Sequence, residues 1–225
     1  MERSGVEGVL SAAGRAGEPG WKECVDAMDL YRVKPAMLRG LEPVVERLAR
    51  TGVSPDALTL AALPAGAVAG IAILVSPSAP PALLLVPAAA GVRTLLNLLD
   101  GALARRTGRV HPRGELYNEV GDRLADVLML APVAFVAGAI AHAVWAGVVL
   151  ALLASFVSVA TRAAGGERSY AGILSKPGRL ALLSAFAVAA LAVGPGAWAP
   201  FGPLLALGAL ATFGERTLRA VRTLP

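Results

Sequence analysis

Three long stretches without charge constrain the fold of this chain more than any other feature of its sequence. No Asp, Glu, Lys or Arg occurs in residues 57–92, 127–161 or 180–214, which are stretches of 36, 35 and 35 residues. A single soluble core does not need about a hundred apolar residues in consecutive runs. The sequence therefore excludes a water-soluble globular protein and predicts an all-α, polytopic integral membrane protein.

Each charge-free stretch is too long for one membrane-spanning helix and long enough for two. A bilayer core about 30 Å thick needs about 20 helical residues, so each stretch with its flanks holds two spans and a turn. Helix-breaking residues predict that turn at residues 76–81 in the first stretch and at 193–200 in the third. In the second stretch the turn is expected near residues 141–143. Three helical hairpins, and hence six transmembrane helices, follow.

Basic residues predict the orientation of these hairpins. The three turns contain none of the 21 Lys and Arg residues, and basic residues in short loops stay on the cytoplasmic side of a membrane. Both termini are therefore expected in the cytoplasm. The net charge of +5 fits contact with anionic lipid. No nucleic-acid-binding signature accompanies it, so nucleic acid is not expected as a partner.

Four segments are predicted along the chain. Residues 1–29 lack the pattern of a signal peptide and are expected to be mobile. Residues 30–52 mix apolar and charged side chains at helical spacing, which predicts an amphipathic helix on the cytoplasmic membrane surface. Residues 53–218 are expected to form the six-helix membrane domain, and residues 219–225 a cytoplasmic tail.

Charged and polar residues enter the predicted membrane helices at one place, the end of span two and the start of span three. Ionisable residues at membrane depth are costly unless they meet a partner, an ion or water, so they indicate a functional site. Helical spacing sorts them into two stripes, Arg93, Asn97, Asp100 and Ala104 on span two and Gly114, Asn118, Asp122 and Asp126 on span three. Because a short loop joins these spans, the two stripes are expected to meet just below the cytoplasmic surface.

The residue types in these stripes indicate a particular chemistry. Carboxylate and amide oxygens suit a hard divalent cation, Mg²⁺ or Mn²⁺, that keeps several waters and binds substrate phosphates. Small residues leave room for a bulky headgroup, and arginines at the rim can bind phosphate. The pattern predicts metal-assisted phosphoryl transfer on a lipid diphosphate.

The same residues resemble the signature of the CDP-alcohol phosphatidyltransferases. That signature reads Asp, two residues, Asp-Gly, two residues, Ala-Arg, eight residues, Gly, three residues, Asp, three residues, Asp. Six of its eight specified positions are present here at the same spacing, namely Asp100, Gly101, Ala104, Arg105, Gly114 and Asp122. The six-span layout with a preceding amphipathic helix is also similar to the family.

The resemblance implies an inner-membrane enzyme that transfers a phosphatidyl group from CDP-diacylglycerol to an alcohol and releases CMP. It implies that Asp100 and Asp122 bind the metal, that Asp122 is also the general base, and that the protein is a homodimer. The positions that match the cytidine diphosphate pocket are Gly101, Ala104, Arg105 and Gly114. The acceptor stays open, although the basic rim favours an anionic one such as glycerol 3-phosphate or inositol phosphate.

Two positions depart from the signature, because its first and third aspartates are Asn97 and Asn118 here. An Asn carbonyl can ligate a metal ion but brings no negative charge. We therefore expect a single metal ion or a weakened second metal site, with Asp126 as a carboxylate that can restore a ligand. A catalytically impaired homologue that binds lipid or CDP-lipid is the alternative that these departures leave open.

Two arginines outside the signature are also candidates for substrate binding. Arg93 is expected either to bind a substrate phosphate or to compensate the charge of Asp122 or Asp126. Arg162 ends span four at the depth of the site and is the candidate ligand of an acceptor phosphate. A small transporter is the rival class, but transporters place their sites near the membrane midplane, whereas this charged cluster lies at one face.

Overall fold

The structure is a computed structural model that describes residues 34–224. These residues form seven α-helices. They are α1 (Lys34–Thr51), α2 (Pro55–Val75), α3 (Leu85–Thr107), α4 (Pro112–Leu130), α5 (Ala141–Ala163), α6 (Lys176–Val193) and α7 (Phe201–Thr223). No strand occurs in these residues. The all-α prediction is therefore confirmed. The last helix includes most of the predicted tail, and the segment 1–29 lies outside the described residues.

Five stretches of the described chain are long and apolar enough to cross a membrane. They comprise α2, α3 with the short 3₁₀ helix before it, α5, α6, and α7 with the short 3₁₀ helix before it. Helix α4 does not meet this measure because charged side chains occupy its sequence from Arg113 to Asp126. The architecture of a polytopic membrane protein is confirmed, whereas a sixth span through α4 stays a prediction.

The junction between α1 and α2 follows from local sequence. Gly52, at a φ of 75°, lies in the left-handed region that glycine favours, and α1 ends just before it. Ser54 caps α2, since its hydroxyl accepts a hydrogen bond from the Ala57 N–H at 3.2 Å. Pro55 occupies the first helical position, where its missing N–H costs nothing.

The turn between α4 and α5 lies earlier than the sequence predicts. It was expected near residues 141–143, but α4 ends at Leu130 and α5 begins at Ala141. Pro132 cannot donate the hydrogen bond that would continue α4. Gly138 has a φ of 86°, a conformation that suits glycine and disfavours other residues. Pro132 and Gly138 therefore mark this turn in the sequence, and His142, near which the turn was expected, lies inside α5.

Glycines allow α2 to pack closely against α4 within one chain. A Cβ atom built at Gly66 would lie 3.3 Å from the Ala125 Cβ. A Cβ atom built at Gly70 would overlap the carbonyl oxygen of Leu128 and lie 3.0 Å from Pro132 Cγ. Close backbone approach of this kind drives helix association where lipid removes the hydrophobic driving force.

Most of the buried apolar core and the buried charged residues occupy opposite ends of the hairpins. The core includes Ile73, Leu83, Val133, Val144 and Trp198, all near the three hairpin turns. Buried charged side chains instead lie towards the other ends of the helices, where the connections between hairpins run. Buried charge, and the chemistry that it allows, is therefore confined to one end of the helix bundle.

Replacing Gly70 with Ala should destabilise the protein by about 1–3 kcal/mol, because the added methyl group meets a backbone carbonyl that cannot move aside cheaply. The measurement is the midpoint of thermal unfolding in detergent. Gly91→Ala on α3 is the matched control, since a Cβ there meets no atom within 4 Å. Equal midpoints for the two variants would contradict the packing described here.

Candidate active site

A cleft of about 540 Å³ opens between the first turns of α2 and α4 and the last turns of α3. Seven of the eleven side chains or glycines predicted from the sequence line it: Asp100, Gly101, Ala104, Arg105, Gly114, Asn118 and Arg162. The two stripes that helical spacing predicted therefore come together. Arg162 closes one side of the cleft and lies 2.7 Å from Glu115.

The loop between α3 and α4 aligns the two halves of the cleft. Gly108 ends α3 in the left-handed conformation, at a φ of 66°. His111 starts α4, because its Nδ1 atom accepts a hydrogen bond from the Gly114 N–H at 3.0 Å. The other ring nitrogen, Nε2, lies 3.2 Å from the Asp56 carboxylate, so it carries the proton and donates. His111 thus links the loop to the start of α2.

Asp100 is a buried carboxylate held in a fixed orientation. Its Oδ2 atom accepts a hydrogen bond from the Thr59 hydroxyl at 2.7 Å, and its Oδ1 atom accepts one from the Gly101 N–H at 2.5 Å. Thr59 comes from α2, so the carboxylate ties two helices together. Nothing in the apolar pattern of α2 singled out Thr59 as a site residue.

Asp122 carries most of its contacts on one oxygen. The Oδ1 atom accepts hydrogen bonds from Asn97 Nδ2 at 3.0 Å and from Lys176 Nζ at 2.5 Å. The Arg93 guanidinium lies 3.5 Å from the same oxygen. Within residues 34–224, the Oδ2 atom makes no hydrogen bond. One oxygen of this carboxylate is therefore held while the other stays available.

Asp126 lies between two buried arginines. Its Oδ1 atom is 3.2 Å from Arg93 Nη1, and its Oδ2 atom is 2.5 Å from Arg179 Nη2. Arg93 also donates a hydrogen bond to the Asp122 carbonyl oxygen at 3.0 Å and has no exposed surface. Of the two roles that the sequence left open for Arg93, the structure supports charge compensation. Both oxygens of Asp126 are paired with arginines, whose positive charge opposes the binding of a metal ion there.

A second, smaller cavity of about 40 Å³ adjoins the cleft and is strongly basic. Its lining consists of Asp122, Arg123, Asp126, Ser155, Ser158, Arg168, Ser169, Tyr170, Lys176, Arg179 and Arg216. Arg168 and Tyr170 line both cavities, with the guanidinium 4.8 Å above the ring. Arg168 also forms an ion pair with Glu119.

Arg216 holds the α5–α6 loop against this basic cavity. It donates hydrogen bonds to the carbonyl oxygens of Ala171 at 2.8 Å, Tyr170 at 3.3 Å and Ala154 at 3.0 Å. Lys176, Arg179 and Arg216 were not predicted as site residues from the sequence. Arg179 lies at the end of the first turn of α6, and Arg216 lies about two turns before the end of α7. Their depth in the helices could have marked them as site residues.

The oxygen donors of the site are of the kind that a hard divalent cation prefers. Among the residues that the structure describes, no three His, Cys, Asp or Glu side chains are placed to hold a metal ion. Asp100, Asn118 and the available oxygen of Asp122 remain as donors. Such a small set suits Mg²⁺ or Mn²⁺, which bind few protein oxygens when waters and substrate phosphates complete the coordination shell.

Comparison with known proteins identifies a family and a curated relative. The profile described as CDP-alcohol phosphatidyltransferase matches residues 52–213. The inner membrane protein YnbA of Escherichia coli (strain K12) is 30% identical over 162 residues, which cover 72% of this chain and 80% of YnbA. The family match includes every residue that lines the cleft.

Solved structures with the same fold come from Mycobacterium tuberculosis. Its phosphatidylinositol phosphate synthase with CDP-DAG bound has a TM-score of 0.67 at 21% identity, covering 80% of this chain and 93% of that chain. The same synthase in complex with manganese and citrate has a TM-score of 0.67 at 23% identity, covering 81% of this chain and 89% of that chain. At this identity the likeness is one of fold.

Replacing Asp126 with Asn should destabilise the protein by about 3–5 kcal/mol, because two buried guanidinium groups lose their counter-ion. Thermal unfolding in detergent measures the loss. Glu215→Gln is the matched control, since it removes the carboxylate of an exposed ion pair with Arg219 and should cost about 1 kcal/mol or less. A similar loss in both variants would argue against a structural role for the buried network.

Proposed function

Because this chain belongs to the CDP-alcohol phosphatidyltransferase family, an enzyme family of the membrane, we propose that it transfers a phosphatidyl group from CDP-diacylglycerol to a phosphorylated alcohol and releases CMP. The observation that carries this proposal is the cleft, in which five residues of the family signature lie beside Asp122 and a basic cavity. The integral membrane location agrees with its relative, an inner membrane protein.

The cleft supports binding of the cytidine diphosphate portion of the donor. Gly101 and Gly114 leave its floor free of side chains, and a Cβ at Gly114 would lie only 3.0 Å from Asp56 Oδ1. Arg105 and Arg109 line the same cleft and can bind the diphosphate. We assign the donor headgroup to this cleft, with the diacylglycerol portion remaining in the lipid.

Asp122 is the residue that we assign as the general base. Its Oδ1 atom is held by Lys176 and Asn97, so its Oδ2 atom can accept the proton of the acceptor hydroxyl. The hydroxyl oxygen then forms a bond to the phosphorus that carries the diacylglycerol group. The bond from this phosphorus to the bridging oxygen breaks, and CMP leaves with the electron pair.

A divalent cation, Mg²⁺ or Mn²⁺, completes this assignment. Asp100 and Asn118 are the residues that we expect to hold it, so that the free oxygen of Asp122 stays available for the proton, and Asp126 is assigned to the buried ion-pair network instead. When bound, the ion would neutralise diphosphate charge and favour departure of CMP. The bound manganese of the Mycobacterium tuberculosis synthase supports this expectation by likeness of fold.

The basic cavity supports an anionic acceptor. Arg168, Lys176 and Arg216 surround about 40 Å³ of space directly beside Asp122. This places cations where a phosphate on the acceptor could bind while its hydroxyl reaches the base. Glycerol 3-phosphate and inositol phosphate are acceptors of this kind. Arg162 lies in the wider cleft, where we expect it to attract the acceptor phosphate at the entrance.

Orientation and assembly follow from the sequence. The hairpin turns lack basic residues, whereas the helix ends that form the cleft are rich in them. We therefore propose that both termini and the active site face the cytoplasm. A homodimer is proposed on the family resemblance.

Release of CMP from CDP-diacylglycerol by the purified protein in detergent, with Mn²⁺ and glycerol 3-phosphate or inositol phosphate, tests the proposed function. We expect Asp122→Asn to lower the rate by about 100-fold or more, because the proton acceptor is lost. Glu46→Gln, on the surface of α1, is the control and should keep the rate. No CMP release with any acceptor would instead support the impaired homologue.

Acceptor selectivity tests the role of the basic cavity. Phosphorylated alcohols should be used in preference to inositol and serine. Arg168→Gln should raise the KM for the phosphorylated acceptor about tenfold or more, because a charge-assisted hydrogen bond is lost. The KM for CDP-diacylglycerol is measured in parallel and should change less. Equal use of neutral and phosphorylated acceptors would contradict this assignment.

A further inference from the structure

Lys176 occupies an unusual place for a residue at the start of a membrane helix. Its Nζ atom lies 2.5 Å from Asp122 Oδ1, and only 19% of the side chain is exposed. A surface lysine that only helps to keep a loop in the cytoplasm extends its ammonium group into water. Here the ammonium group instead directly contacts the carboxylate that we assign as the general base.

Asn97 approaches the same oxygen from the other side. An ionised carboxylate only accepts hydrogen bonds, so the amide of Asn97 must present its NH₂ group to Asp122 Oδ1. An NH₂ group cannot ligate a cation. At the first Asp position of the signature, the NH₂ group of Asn97 therefore binds a carboxylate, and one uncharged carbonyl oxygen is left, where an aspartate would offer two charged oxygens to a metal ion.

Two metal ions would need more negative charge than this site contains. In two-metal sites for phosphoryl transfer, carboxylates hold ions about 3.5–4 Å apart. The ion-pair network of Asp122 and Asp126 contains three cations, Arg93, Lys176 and Arg179. The buried carboxylate of Asp100 makes the number of negative charges three as well. These charges cancel. One divalent cation would be balanced by the two phosphates of the donor, whereas a second would leave excess positive charge at low dielectric.

We propose that the ammonium group of Lys176, together with the NH₂ group of Asn97, takes the place of a second divalent cation, so that each active site holds one ion. The proposal rests on the proposed function and concerns which positive charges balance the carboxylates of the active site. Lys176 supplies a fixed positive charge beside Asp122, and Asn97 keeps the carboxylate oriented without adding charge. The remaining ion is bound on the side of Asp100 and Asn118.

Titration of the detergent-solubilised protein with MnCl₂, with free Mn²⁺ read from its electron paramagnetic resonance signal, tests the proposal without turnover. We expect one Mn²⁺ per chain. Two Mn²⁺ ions per chain, or none, would overturn the proposal. Because the count does not depend on catalysis, a failure of CMP release together with one bound ion would remove the proposed function and leave this charge arrangement standing.

The variant Lys176→Gln tests whether Lys176 takes the place of a metal ion or only packs in the site and binds the acceptor. Removing a fixed positive charge beside the metal should tighten Mn²⁺ binding by about tenfold or more. Arg219→Gln is the control, because it removes one positive charge from the exposed C-terminal end of α7, away from the site, and should leave the Mn²⁺ affinity unchanged. Unchanged affinity in Lys176→Gln would overturn the proposal.

The double variant Asn97→Asp with Lys176→Gln restores an oxygen ligand and removes the ammonium group. We expect it to bind a second Mn²⁺ ion, and a count that stays at one would overturn the proposal. Elution of the folded protein on size exclusion and its unfolding midpoint are measured first. Should this variant not fold, the count for the unaltered protein and the affinity change in Lys176→Gln decide the question.

Discussion

The ion pairs of Asp126 with Arg93 and Arg179 connect α3, α4 and α6 at the depth where all the proposed chemistry takes place. Apolar burial alone gives these helices little preference for one alignment, because lipid solvates apolar side chains as well as a neighbouring helix does. A buried charge, by contrast, tolerates few arrangements. Arg93 also binds the Asp122 carbonyl oxygen, so the same network determines the position of the proposed base.

Much of the fold could be predicted from the sequence because lipid imposes a simple rule on it. Charge is excluded from the spans, so its absence locates the helices and its presence locates the site. The positions of Asp100 and Asp122 follow from helical spacing on two helices that a short loop joins. The turn before α5 was misplaced because the prediction followed the polar residue His142, which lies inside α5, whereas Pro132 and Gly138 mark the break.

The partners of the carboxylates could not be predicted, because they come from distant parts of the chain. Asp122 meets Lys176 across 54 positions, and Asp100 meets Thr59 across 41. No periodicity within one helix reports such contacts. The basic residues were also ambiguous for a physical reason. Cations that keep a loop in the cytoplasm and cations that bind a phosphorylated substrate occur at the same helix ends.

The separation between an apolar core near the hairpin turns and a polar site at the opposite helix ends has a consequence for how substrates travel. Acyl chains can stay among neighbouring lipids throughout the reaction, while the nucleotide and the small acceptor exchange with water at the open mouth. Every reactant therefore arrives from, and every product departs to, the same leaflet and its adjoining solution. Such an enzyme needs no alternation between two faces of the membrane, and its helices can remain rigid while headgroups are exchanged.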